Sequence, residues 1–297
     1  MTAAQLLKSC PASGEGVHNW VFYAACTAVE HGMTDKEAET EIGALMTREP
    51  NPASEITDAL RSARGDRSRS TPRWSPVNPA AIAEIVKNGP TLLELISRSP
   101  EPIQFVPQSR AELFIDALFP SNPLLCCGVS SSGFYTAPRE KFRGALHLYS
   151  LIVPSPMSSQ RGRTNRGKLS YRCAANTGTR RFLVVEFDRA GLDRQAALLW
   201  HLEKFAQSLA LVVFSGNKSM HGWFFCGEQP EDKLRKFFDY AVSLGADPKT
   251  WSRCQFVRMP DGKRTDGKIS NALSLAGIDS VPSGRQVVLY FNSEVIR

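Results

Sequence analysis

The stretch Phe182-Leu183-Val184-Val185-Glu186-Phe187-Asp188 reads as a buried strand that ends in two acids. The alternation acid, aromatic, acid then sets Glu186 and Asp188 on one side, about 6–7 Å apart along the backbone. Like charges so placed repel unless a cation lies between them, and carboxylates that share divalent ions are the geometry of two-metal phosphoryl chemistry. The plainer reading is a sheet edge with solvent-facing acids, and the pair by itself does not separate the two.

Working downstream, residues 193–210 form an amphipathic helical pattern (Leu198, Leu199, Leu202, Phe205, Leu209) that leads to the strand Leu211-Val212-Val213-Phe214. The sequence Ser215-Gly216-Asn217-Lys218-Ser219-Met220-His221-Gly222-Trp223-Phe224-Phe225 follows, and its Gly-Asn pair predicts a hairpin turn. Period-two alternation puts Ser219, His221 and Trp223 on one face of the return strand. With Lys218 from the turn, that face offers a hydroxyl, an imidazole and an ammonium group, all suited to phosphate oxygens. Trp223 and Phe224 read as core, His221 as functional. A helix over 232–244 comes next, then Gly245-Ala246-Asp247-Pro248, a strand over 254–260 and Asp261-Gly262-Lys263-Arg264. Asp247 is a candidate third carboxylate with Asp261 as its competitor, and Arg258 and Arg264 can supply charge to a triphosphate or a template strand.

Working upstream, residues 161–181 hold seven basic side chains (Arg161, Arg163, Arg166, Lys168, Arg172, Arg180, Arg181) and no acid. Such a run is either a solvated face or a surface that follows phosphates. Before it lie strands over 124–129 and 148–153, a helix over 111–118, helical material over 78–98 and a connection through Pro100, Pro102 and Pro107. Residues 66–104 are expected to be a basic linker and helical connector, with Arg61, Arg64, Arg67, Arg69 and Arg73 leading into it among Ser, Gly and Pro. Residues 1–65 are expected to be a small helical domain. Its first helix centres on Trp20–Val29, its second opens with the Thr34/Glu37 capping box, and its third runs from Ser54 to Ala63.

The 297 residues are 42% apolar and 22% charged, which is globular composition and excludes a disordered or fibrous chain. No apolar run reaches the ~18–20 residues that a membrane span needs, so a soluble, cytoplasmic protein without a membrane partner is expected. The net charge of +7 favours a polyanionic partner without proving one. Seven cysteines, an odd number with no CxxC spacing, are expected to be reduced thiols rather than a zinc site.

An acid-x-acid strand, then a Ser-x-His strand, then a third acid resembles the archaeo-eukaryotic primases, especially the primase-polymerases of plasmids, phages and other mobile elements. The matching residues are Glu186-Phe187-Asp188, Ser219-Met220-His221 and Asp247, with Arg258-Met259-Pro260 and Arg264 also similar. The likeness covers roughly 105–297, and a first acid that is Glu rather than Asp departs from the commonest form. Residues 14–64 look like the helical module that usually trails primase domains, here placed in front.

The resemblance implies an α+β chain with a bipartite core, an N-terminal α/β subdomain plus an RRM-like antiparallel sheet, behind the small helical domain. It implies two Mg²⁺ or Mn²⁺ ions held by Glu186, Asp188 and Asp247. It also implies NTP or dNTP phosphates bound by His221, Ser219, Lys218, Arg258 and Arg264. A single-stranded DNA template would then run along Arg161, Arg163, Arg166, Lys168, Arg172 and Arg180. The implied activity is DNA primase or primase-polymerase nucleotidyl transfer. Its rivals are a two-metal nuclease, which has no use for a triphosphate pocket, and a noncatalytic DNA-binding subunit of replication initiation. GxxxxGK[ST] does not occur, so a separate replicative helicase is the expected partner.

Overall fold

The computed structural model describes residues 9–13, 16–68, 74–206, 208–267, 270–278 and 283–296. The chain divides into two compact units, Met1–Arg73 and Trp74–Arg297.

The described residues of the first unit form three helices: α1 (Val17–Glu30), α2 (Asp35–Leu45) and α3 (Glu55–Ser68). Ala24, Ala25 and Ala28 on α1 are small enough to bring the helices close around Val21, Ile42 and Leu60. The expected capping box opens α2: the Glu37 amide donates to Thr34 Oγ1, and the Thr34 amide donates to the Glu37 carboxylate. A buried acid ties the unit together. Glu55 accepts two hydrogen bonds from Arg48 at 2.8 Å, one from the Asn51 amide at 2.8 Å, and lies 2.9 Å from His18 Nδ1. Arg69 and Arg73 of the expected linker lie outside the described residues, whereas Arg61 and Arg64 belong to α3.

The second unit begins with α4 (Pro79–Asn88), α5 (Leu92–Ser97), α6 (Ala111–Leu118), β1 (Leu124–Gly128), β2 (Phe134–Pro138), β3 (Leu151–Ile152), β4 (Gly162–Arg163) and β5 (Leu169–Ser170). It continues with β6 (Phe182–Phe187), α7 (Leu192–Ala206), β7 (Leu209–Phe214), β8 (Met220–Phe225), α8 (Glu231–Ser243), β9 (Val257–Arg258), α9 (Ala272–Leu275) and β10 (Val288–Phe291). The fold class is α+β. One antiparallel sheet has the order β10-β7-β8-β6, a second β2-β1-β3-β9, and β4 and β5 form a ribbon.

The β10-β7-β8-β6 sheet is buried on both faces, which explains its nearly unbroken apolar sequence. One face, with Leu183, Val185, Phe187, Val212 and Phe224, packs on Ile82 of α4, Leu92 and Leu95 of α5, Leu199 and Leu202 of α7 and Phe238 of α8. The other, with Phe182, Val184, Leu211, Val213 and Trp223, packs on α6 and on Leu125, Cys127 and Ile152 of the second sheet. Each fully buried side chain of this size contributes roughly 1.5–3 kcal/mol. Gly222 on β8 lets α7 lie flush against the sheet, since a Cβ there would stand 2.5 Å from Leu199 Cδ2. All seven cysteines are free thiols; burial pushes Cys126 up to about 11 and Cys226 up to about 12.

Several sequence expectations shift. The second unit starts at Trp74, not near 105, because Trp74 packs edge-on against Phe238 and Trp251 and Ser75 donates two hydrogen bonds to Asp239. The helix expected over 193–210 ends at Ala206: Glu203 accepts from the Ser208 and Leu209 amides, and Leu209 starts a strand. The strand expected over 254–260 is only Val257–Arg258, and it pairs with β3. The strand expected over 148–153 shortens to Leu151–Ile152, since Leu146–Leu148 is a 3-10 turn. The succession β6-α7-β7-β8-α8 is ferredoxin-like, but β10 joins beside β7, whereas that motif sets its last strand beside the first. No described helix is long and apolar enough to cross a membrane.

Arg48, and after it the Asn51 amide and His18, holds the Glu55 carboxyl down to about 2 against the cost of its burial. A carboxylate depressed on folding stabilises above its unfolded pKa and loses that contribution as pH falls toward the folded one. The helical unit should therefore lose about 1–3 kcal/mol, after allowance for solvent screening, between pH 5 and pH 2. Glu55→Gln should lower its stability at pH 7 and flatten this acid limb, as read by circular dichroism melts across pH.

Candidate functional site

The site forms where β6 and β8 end side by side. Their antiparallel register sets Val185 opposite Gly222, Glu186 opposite His221 and Phe187 opposite Met220. His221 is 3% exposed. Its Nε2 lies 3.5 Å from Glu186 Oε1 and 3.4 Å from Ser219 Oγ, and its buried Nδ1 has no hydrogen-bond partner. Burial pushes the imidazole pKa below its ordinary value, the Glu186 carboxylate pulls it back, and the Arg258 and Arg264 cations push it down again. The ring is therefore neutral at pH 7, with one nitrogen to donate and one to accept.

Asp188 follows β6 directly, and its carboxylate meets Lys218 Nζ of the β7–β8 turn at 3.2 Å. Both side chains are exposed, so this pair contributes at most about 1 kcal/mol and is easily exchanged. Asp247 arrives from the far end of α8. Its amide donates to the Glu186 carbonyl at 2.9 Å, and its carboxylate caps a 3-10 turn, Pro248–Trp251, through the Lys249 amide. Asp261, its competitor in the sequence, is held elsewhere: it is buried, accepts from the Arg110 amide and stands 3.7 Å from Arg285.

Arg264 is 6% exposed and braces the β7–β8 turn. Its Nη1 donates to the Ser215 carbonyl at 2.5 Å, while Nε and Nη2 grip Asp266 at 2.6 and 2.8 Å. Gly216 in that turn has φ +80°, with Arg264 Cδ 3.2 Å from where a Cβ would stand. Arg258 reaches the same Asp266 at 3.4 Å, and burial, followed by the Arg264 cation, lowers its pKa. Trp223 and Phe224 are core, as expected.

The basic stretch splits. Arg161, Arg163, Arg166 and Lys168 are exposed on the β4–β5 ribbon, where Arg161 stacks on Tyr171 with 4.5 Å to the ring centroid. Arg172 and Arg180 turn inward instead, as carbonyl and ring partners draw them off the surface. Arg180 is 6% exposed and pairs with Glu231, and Arg172 donates to the Cys254 carbonyl, so neither offers the free strand-facing charge that the sequence suggested.

Sequence reasoning missed two residues that build the site. Asp266 is one, signalled only by lying two positions after Arg264. Gln195 of α7 is the other. Fully buried, it donates to the Ala190 and Lys218 carbonyls and accepts from the Met220 amide, lacing the segment after Asp188 to the β7–β8 turn. Nothing in the sequence distinguishes this glutamine from a helix-surface one.

Carboxylates are hard-oxygen donors of the kind that take Mg²⁺ or Mn²⁺, and Glu186, Asp188 and Asp247 come from segments that meet at the end of β6. As they stand, Glu186 leans on His221, Asp188 on Lys218 and Asp247 on Lys249. Among the described residues no three acidic, His or Cys side chains are gathered to hold an ion. The donor chemistry fits a divalent ion, and taking one up requires these contacts to exchange.

Gln195→Leu keeps the volume but strands the buried Met220 amide and removes the donor to the Ala190 and Lys218 carbonyls. It should cost roughly 2–3 kcal/mol in urea denaturation. Compared with protein-family models, with curated proteins and with solved structures, the chain matches none.

Proposed function

We propose that this chain is a metal-dependent nucleotidyltransferase that starts nucleic-acid chains on single-stranded DNA, a DNA primase or primase-polymerase of the archaeo-eukaryotic type. One observation carries the reading: a carboxylate, a hydroxyl, an imidazole and two guanidinium groups come together at one strand end, with Glu186 opposite His221 and Arg258 and Arg264 close enough to act on the same imidazole. A nuclease needs the acids, but it does not need this cationic half.

On this reading the β10-β7-β8-β6 sheet is the metal-bearing part of a bipartite core, and the β2-β1-β3-β9 sheet with α6 is its companion. Glu186, Asp188 and Asp247 hold two Mg²⁺ or Mn²⁺ ions, which supply Lewis acidity toward the attacking hydroxyl and the leaving phosphates. Ser219 and neutral His221 donate hydrogen bonds to the phosphates of an NTP or dNTP. Lys218, released from Asp188, adds a mobile charge to them, and Arg258 adds a fixed one. Arg264 acts chiefly by holding the Ser215 turn. The 3′-oxygen bonds to the α-phosphorus, the bond to the β-phosphate bridge breaks, pyrophosphate leaves with the electron pair, and the hydroxyl proton passes to water. The exposed cations of the ribbon bind the template, with affinity that falls as salt rises. Unwinding of duplex DNA falls to a separate helicase.

The test is synthesis on unprimed single-stranded DNA with labelled nucleotides, Mn²⁺ against EDTA. Short metal-dependent products are expected. Glu186→Ala with Asp188→Ala should reduce them by about 100-fold or more while single-strand binding survives. Strand cleavage without nucleotide would favour the nuclease, and binding without either reaction the noncatalytic subunit.

A further inference from the structure

The segment from Asp247 to Arg258 has only a 3-10 turn of regular structure before β9, yet it brings Asp247 and Arg258 to the site. Two arginines of the basic stretch pin it. Arg180 lies over the Trp251 ring at 4.4 Å, donates to the Trp251 carbonyl at 2.9 Å and pairs with Glu231 at the start of α8 at 2.9 Å. Arg172 lies over the Phe256 ring at 4.1 Å with the Phe134 ring at 5.4 Å, and donates to the Cys254 carbonyl at 2.9 Å. One pin thus sits just after Asp247 and the other just before Arg258. Flat stacking and a rigid planar fork of N–H donors are properties of guanidinium that an ammonium group does not share.

Arg172 also belongs to the ribbon. It follows β5 by two residues, its amide donates to Ser170 Oγ at 3.0 Å, and its carbonyl accepts from that hydroxyl at 2.9 Å. The neighbouring Tyr171 carries the Arg161 stack, and its carbonyl accepts from Thr136 of β2 at 2.6 Å. The ribbon that carries Arg161, Arg163 and Lys168 is thus hydrogen-bonded to the residue that stacks on the loop before Arg258.

We propose that Arg172 is a positioning residue that couples the ribbon to the nucleotide site, so that a nucleic-acid strand on the ribbon and a nucleotide beside Arg258 bind cooperatively through it. This rests on the function proposed above. The coupling is reciprocal: each ligand tightens the other by the same factor, and couplings of this kind are typically about 5- to 150-fold. It makes nucleotide affinity at the site depend on the template.

Arg172→Lys separates this role from direct strand binding, since it keeps the charge that phosphates feel and loses the stack and the fork. The measurement is the affinity of the full chain for fluorescent ATP with Mn²⁺, with and without saturating oligothymidylate of about 20 nucleotides, together with oligonucleotide affinity alone and a thermal melt. Wild type is expected to bind nucleotide about fivefold or more tightly with the oligonucleotide present. Arg172→Lys should lose that enhancement while its oligonucleotide affinity stays within about twofold of wild type. Phe256→Leu, which thins the same stack from the loop side, should behave alike and serves if the first variant does not fold. A wild type that binds both ligands without enhancement, or variants that keep it, overturns the coupling and leaves the proposed function standing. A wild type that binds no nucleotide with Mn²⁺ overturns both.

Discussion

The register between β6 and β8 is the constraint on which the site depends. A slip of one residue would turn Glu186 and His221 to opposite faces of the sheet and send either Val185 or Gly222, whichever strand moved, toward the second sheet. Burial on both faces prevents that slip. Phe187 and Val185 are required among the helices, Val184 and Trp223 among α6 and the second sheet, and Gly222 admits α7 only at its present position. Two polar side chains can face each other at a buried strand end because apolar ones fix the register behind them.

Around that pair the protein spends hydrogen bonds on backbone. Gln195 serves two loops at once, Arg264 holds the Ser215 carbonyl, and the Asp247 amide docks on the Glu186 carbonyl. The charged tips are less committed: Lys218 and Asp188 meet at the surface, and Arg258 reaches Asp266 at the limit of a hydrogen bond. A stiff frame with exchangeable tips suits a site that must admit a large anion and its counter-ions.

Much of this was legible in the sequence, and the parts that were not share a cause. The buried strands, the hairpin, the capping box and the one-sided placement of Ser219 and His221 follow from periodicity and turn chemistry, which are local. The inward turn of Arg172 and Arg180, the bracing by Gln195 and the docking of Asp247 depend on partners tens of residues away. An arginine that stacks on a distant Phe256 or Trp251 looks, in sequence, like one that faces solvent. The early start of the second unit at Trp74 was hidden likewise, since its anchors are Phe238 and Trp251.

The thiols give the molecule an internal clock. Cys226 lies in the helix-covered core and Cys127 in the core between the sheets, and burial holds both thiols far from ionisation. A thiolate is the species that attacks alkylating reagents, so in the closed protein these sulfurs are chemically silent. They become reactive only when their layer parts. The two faces of the central sheet thus carry separate reporters, and the order in which they label records which layer opens first.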